Sequence, residues 1–149
     1  MHALTLLFLV ALVSHAAVQL WLARRQISFV EAHAATVPVG FASVISPADH
    51  AKAAAYTVAK QRLGMIETVY EVMLALGLTV GGGIALVGAW SAQATDSPLL
   101  SGTLHVLGVF AAMAVLGLPF SVYRTFVQEQ RFGFNRTRAA VFVTDLMKG

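Results

Sequence analysis

Three stretches without a single Asp, Glu, Lys or Arg constrain this chain more than any other feature: Ala3 to Ala23, "ALTLLFLVALVSHAAVQLWLA"; Val72 to Trp90, "VMLALGLTVGGGIALVGAW"; and Leu99 to Leu118, "LLSGTLHVLGVFAAMAVLGL". A helix rises ~1.5 Å per residue and the hydrocarbon core is ~30 Å thick, so about 20 apolar residues suffice to cross it. A backbone in lipid must satisfy its own hydrogen bonds, which a helix does. The expected fold is therefore all-α and integral to the membrane, one domain over residues 1–149 with spans at about 3–23, 72–90 and 99–118. Composition agrees, since 58% hydrophobic and 11% charged residues, with a mean hydropathy of +0.75, lie outside the soluble range.

The charges orient those spans. Arg24 and Arg25 follow the first run directly, and cationic flanks are retained in the cytoplasm, which sets the N-terminus outside and the C-terminus inside. Only Met1 and His2 precede that run, so it lacks the positive n-region of a cleaved signal peptide and reads as a retained span. On this topology Arg24, Arg25, Lys52, Lys60 and Arg62 fall in one inside region and Arg124, Arg131, Arg136, Arg138 and Lys148 in the other, while the outside connection carries only Asp96. Trp21 and Trp90 stand near span ends, as an aromatic belt requires. A pI near 9.7 thus reflects membrane topology and not a nucleic-acid partner, because the cations are not gathered on one polar module. With no cysteine, disulfides and thiolate metal sites are excluded.

Between the first two spans, "SPADHAKAAAYTVAKQRLG" opens with Ser46 as an N-cap, Pro47 at the first helical position and Asp49 three residues after the cap. A cytoplasmic helix from about Pro47 to Leu63 is expected, with Gly64 loosening its junction to the second span. Lys52, Tyr56 and Lys60 recur every four residues and read as a solvated or headgroup-facing stripe.

Several residues could carry chemistry. His15 and His105 lie inside spans, where an ionisable group is a functional hypothesis by default, but neither has a second ligand at i+3 or i+4, and a neutral histidine bonded to a neighbouring helix is the better reading. His105 shares a face with Ser101, Gly108 and Ala112 that is suited to helix packing, as is the face of Gly77, Gly81 and Gly88. A local bend is possible at Gly81–Gly83, and Pro119 is expected to end or kink the third span. Glu67 and Glu71 share a helical face and could form a relay or a ligand pair, although an interfacial role within reach of Arg62 fits better. "NRT" at 135–137 matches a glycosylation sequon by accident on an inside face. The sequence contains no H-E-x-x-H, G-x-S-x-G or Walker motif, and no catalytic, cofactor-binding or metal residue can be assigned in it.

After the third span the chain reads "LPFSVYRTFVQEQRFGFNRTRAAVFVTDLMKG". This order resembles the signature of the type I CAAX prenyl proteases, integral-membrane zinc metalloendopeptidases, roughly L-P-x-x-x-Y-x-T-F-V-x-E-x-[RK]-x-G-F-N. Leu118, Pro119, Tyr123, Thr125, Phe126, Val127, Glu129, Arg131, Gly133, Phe134 and Asn135 match. Gln128 and Gln130 depart from it, standing where the family more often has an aliphatic residue and a glutamate. The inside connection "VPVGFASVISPADHAKAAAYTVAKQRLG" resembles a second stretch of the same family.

The resemblance implies the N-terminal membrane domain of a seven-helix protease of the bacterial inner membrane. Its helices would enclose an intramembrane chamber in which a peptide substrate is hydrolysed. The zinc helix and the rest of the catalytic half would lie beyond Gly149, so zinc belongs to the full-length protein and this chain alone should be inactive. Gly133 would permit a turn, Asn135 would cap a following helix, and the segment would pack on the catalytic half. The alternative is a non-enzymatic three-span module that assembles with, or modulates, a separate membrane partner. A proton or ion pathway through His15, Glu67, Glu71 and His105 is a third class.

Overall fold

A computed structural model of the chain describes residues 3–41, 43–133, 141 and 144, and every regular element among them is helical. The elements are α1 (Ala3–His33), a short 3-10 turn (Val39–Phe41), α2 (Pro47–Thr79), α3 (Gly83–Ala94), α4 (Pro98–Tyr123) and a π-helical stretch (Arg124–Glu129). The chain divides into two compact units, Met1–Leu116 and Gly117–Gly149. α1 and the helical run Pro98–Glu129 are each long and apolar enough to cross a membrane, and α2 and α3 meet the same criterion only when taken together across their bend.

In α1 one stripe alone is partly shielded: Thr5, Leu9, Leu12, Ala16, Leu20, Ala23, Ile27 and Val30, at the spacings of three and four that keep side chains on one face. This stripe packs along α2. The two run antiparallel, since the His50 imidazole Nε2 donates to the His33 carbonyl (3.1 Å), while Gln19, further back on α1, shares a groove with Thr68, further along α2. Arg62 pairs with Glu31 of α1 at 3.1 Å, a different partner from the expected Glu67 and Glu71. Helical geometry explains the choice, because positions i+5 and i+9 lie roughly 140° and 180° round the helix from Arg62.

The start of α2 forms as its sequence dictates. Ser46 Oγ accepts from the Asp49 amide (3.0 Å) and donates to the Asp49 carboxylate (2.7 Å), which satisfies an amide left without a helical partner in the first turn. The expected junction at Gly64 is absent: α2 continues unbroken to Thr79. A lone interior glycine costs only ~1 kcal/mol, which packing readily offsets. The break falls instead at the glycine triplet, where α2 and α3 meet at 50°. Gly82 takes a φ of 81°, the left-handed region that L side chains avoid. A Cβ on Gly81 would stand 2.6 Å from the Gly77 carbonyl oxygen, and one on Gly83 2.9 Å from Leu78 Cα.

α4 differs from expectation in the same sense. Pro119 neither ends nor interrupts it, for the helix runs four residues further to Tyr123 and then widens into the π-helical stretch. Among the described residues Ala54 is the sole buried apolar side chain, whereas Leu4, Leu86 and Phe110 remain 79%, 73% and 66% exposed. Large apolar surfaces of this kind are stable against lipid or further helices, not against water.

Candidate functional site

Within the first unit, α3 and α4 meet where two side chains, His105 and Val87, each face a glycine of the opposite helix. The His105 ring sits over Gly88, so that a Cβ there would approach His105 Cε1 to 3.1 Å, and Gly108 abuts Val87, whose Cγ1 would lie 2.8 Å from an added Cβ. His105 Nε2 donates to the Ile84 carbonyl across the contact (3.1 Å). Absence of side chains at Gly88 and Gly108 lets the two backbones come close enough for this bond. Beneath it Ser91, 1% exposed, returns its hydroxyl proton to the Gly88 carbonyl (2.9 Å). Gly77 and Gly81 lie elsewhere, at the α2–α3 break, and Gly77 has open space where a Cβ would project. His15 is exposed on α1, Glu67 is half-buried and Glu71 exposed on α2, and among the described residues no three of His15, Glu67, Glu71 and His105 converge as a metal-holding group.

Tyr70 was not singled out by its sequence context, yet its hydroxyl donates to the Leu116 carbonyl of α4 (3.0 Å). That carbonyl adjoins Val115, whose own carbonyl loses its helical donor to Pro119. An aromatic hydroxyl two residues after Thr68 in a span entrance is the only signal that pointed to it.

In the second unit, Pro119 and Tyr123 are exposed on the last turns of α4, Phe126 and Glu129 are half-buried in the π-helical stretch, and Arg131 is exposed, with its guanidinium 5.9 Å from the Phe132 ring centre. Gly133 has a φ of 73°, a turn conformation that suits glycine. Phe134 and Asn135 fall outside the described residues. The residue that sequence reasoning missed is Gln128, 6% exposed, whose amide nitrogen and oxygen both lack a hydrogen-bond partner among the described residues. Its signal was the departure from an aliphatic position. π-helical segments are rare and concentrate at functional sites.

Among the described residues no three His, Asp or Glu side chains converge on a position that could hold a metal ion.

These features define an all-helical membrane domain in which two long apolar helices accompany a pair bent at a glycine triplet. The model of the CAAX prenyl protease N-terminal domain, described as five membrane helices, matches residues 26–149. A CAAX prenyl protease 1 homolog of Arabidopsis thaliana is 29% identical over 123 residues, covering 76% of this chain and 28% of the relative. The homolog of Oryza sativa subsp. japonica is 26% identical over 121 residues with the same coverage. A probable CAAX prenyl protease 1 of Schizosaccharomyces pombe is 36% identical over 45 residues. This chain belongs to the CAAX prenyl protease family and corresponds to its N-terminal membrane region. It spans 28% of the length of the plant relatives it matches.

Proposed function

We propose that these residues form the membrane-embedded front of a CAAX-prenyl-protease-like zinc endopeptidase, walling part of a chamber in which a peptide is cut, with the zinc chemistry supplied by other segments. The observation that carries this reading is the family match over residues 26–149, joined to a sequence without H-E-x-x-H. The segment from Pro119 to Asn135 would buttress the catalytic half, and the inner membrane of a bacterium, with the N-terminus outside, would be its setting. Ten cations on one side of the proposed topology and none on the other support that orientation.

The test is to purify residues 1–149 alone and together with a catalytic half that carries H-E-x-x-H. Alone, the chain should hold no stoichiometric zinc and cleave no peptide, and hydrolysis should return with the catalytic half. One tightly bound zinc per isolated chain, or peptide cleavage by it, would overturn the reading. A separate stoichiometric partner that co-purifies in mild detergent would favour the non-enzymatic module. Because the chain has no cysteine, single cysteines at Asp96 and Ser46 report orientation without background, with Asp96→Cys labelled from outside and Ser46→Cys from inside.

A further inference from the structure

The groove between α1 and α2 within the first unit is unclaimed by the proposed catalysis. It has a volume of about 680 Å³ and is lined by residues that include Gln19, Leu22, Arg25, Gln26 and Phe29 of α1 and Gln61 of α2. Arg25 is the only charged side chain in its lining. Among the described residues Arg25 has no carboxylate partner; its guanidinium rests 5.7 Å from the Trp21 ring centre. Glu31, the acid six residues further along α1, is engaged by Arg62 at 3.1 Å. Of the remaining polar lining, Gln19, Gln26 and Gln61 offer neutral amide donors, whereas the Thr68 hydroxyl donates to the Gly64 carbonyl (2.9 Å); Leu22 and Phe29 supply an apolar wall.

Depth selects among anions. The uncharged run of α1 ends at Ala23, so a groove running from Gln19 to Phe29 straddles the level at which a span leaves hydrocarbon and enters the headgroup zone. Gln19 and Gln26 are two turns apart, about 10 Å along the axis, enough to bracket a phosphodiester with its first glycerol carbons beside Leu22. Basic pockets between spans at this depth suit anionic headgroups, and a guanidinium pairs with phosphate oxygens through two parallel donors. We propose that this groove is a binding site for the phosphodiester headgroup of an anionic phospholipid, held by Arg25 and oriented by the three glutamines.

The experiment is native mass spectrometry of the full chain in mild detergent, titrated with phosphatidylglycerol, with phosphatidylcholine of the same acyl chains, and with inorganic phosphate. One phosphatidylglycerol per chain should be retained in preference to phosphatidylcholine. Arg25→Gln should weaken retention about fivefold, whereas Arg24→Gln, outside the groove, should leave it unchanged. Should Arg25→Gln fail to fold, Gln61→Leu carries the same expectation of weaker, less selective retention. Equal retention of the two lipids, equal loss in Arg24→Gln and Arg25→Gln, or displacement of the lipid by millimolar inorganic phosphate would each overturn the proposal. None of these outcomes depends on zinc or peptide hydrolysis, so the site stands or falls apart from the protease reading.

Discussion

Placing a methyl group on Gly88 tests the α3–α4 contact, because Gly102 on α4 provides its own control. A Cβ on Gly102 meets nothing within 4 Å, while one on Gly88 stands 3.1, 3.4 and 3.5 Å from three atoms of the His105 ring. Both substitutions gain helix propensity, about 0.8–1 kcal/mol for Gly→Ala. Only Gly88→Ala must also move a ring tethered to the Ile84 carbonyl at 3.1 Å. Losing that bond costs about 0.5–1.5 kcal/mol, and holding the ring off its preferred rotamer costs about as much again. Gly88→Ala should therefore be less stable than Gly102→Ala by about 1–3 kcal/mol, the sum of those two terms. In thermal unfolding in detergent this is a Tm gap of at least 2–4 °C. The decisive arm adds His105→Ala: without the ring, Gly88→Ala should recover the full helical gain, and the double-mutant cycle should show a coupling of about 1–3 kcal/mol. Equal stabilisation by the two alanines, together with an additive cycle, would refute the idea that His105 sets the spacing of these helices.

Two further substitutions probe the remaining polar features. Gln128→Leu should stabilise the protein by about 1–3 kcal/mol, because the buried amide it removes leaves both its polar atoms unpaired; a lower Tm would mean that the amide has a partner in the native membrane protein. Ser46→Ala removes both cap bonds to Asp49 and should destabilise the start of α2 by about 1 kcal/mol, seen as faster amide exchange at residues 48–50, and unchanged exchange would show the cap to be dispensable.

The spans were legible because charge is the one thing lipid does not tolerate, and three charge-free runs announce themselves whatever their partners. Their ends were less legible. α1 extends ten residues past Ala23 and α2 begins 25 residues before Val72, since a helix needs no hydrocarbon to continue, only an N-cap such as Ser46 and a neighbour to pack on. Gly64 and the triplet at Gly81–Gly83 show why residue type alone misleads. One glycine is a small cost inside a packed helix, whereas three in sequence remove every Cβ that would obstruct the turn, and the chain bends there.

The site was legible in its order and not in its geometry. Pro119, Tyr123, Phe126, Glu129, Arg131 and Gly133 were readable as a pattern, but no composition rule announces that Arg124–Glu129 winds as a π-helix. A π-turn admits one extra residue, which rotates everything beyond it by about 100° relative to an uninterrupted α-helix. The 3.6-residue projection that correctly groups His105 with Gly108 therefore loses its phase after Tyr123, and it cannot anticipate that Gln128 is the shielded residue. The same extra residue gives the motif's fixed spacing a physical reason. With the π-turn in place, deleting one residue between Tyr123 and Gly133 would restore α-helical phase and rotate the residues beyond the deletion by about 100° relative to Tyr123, taking Gly133 off the face it now holds.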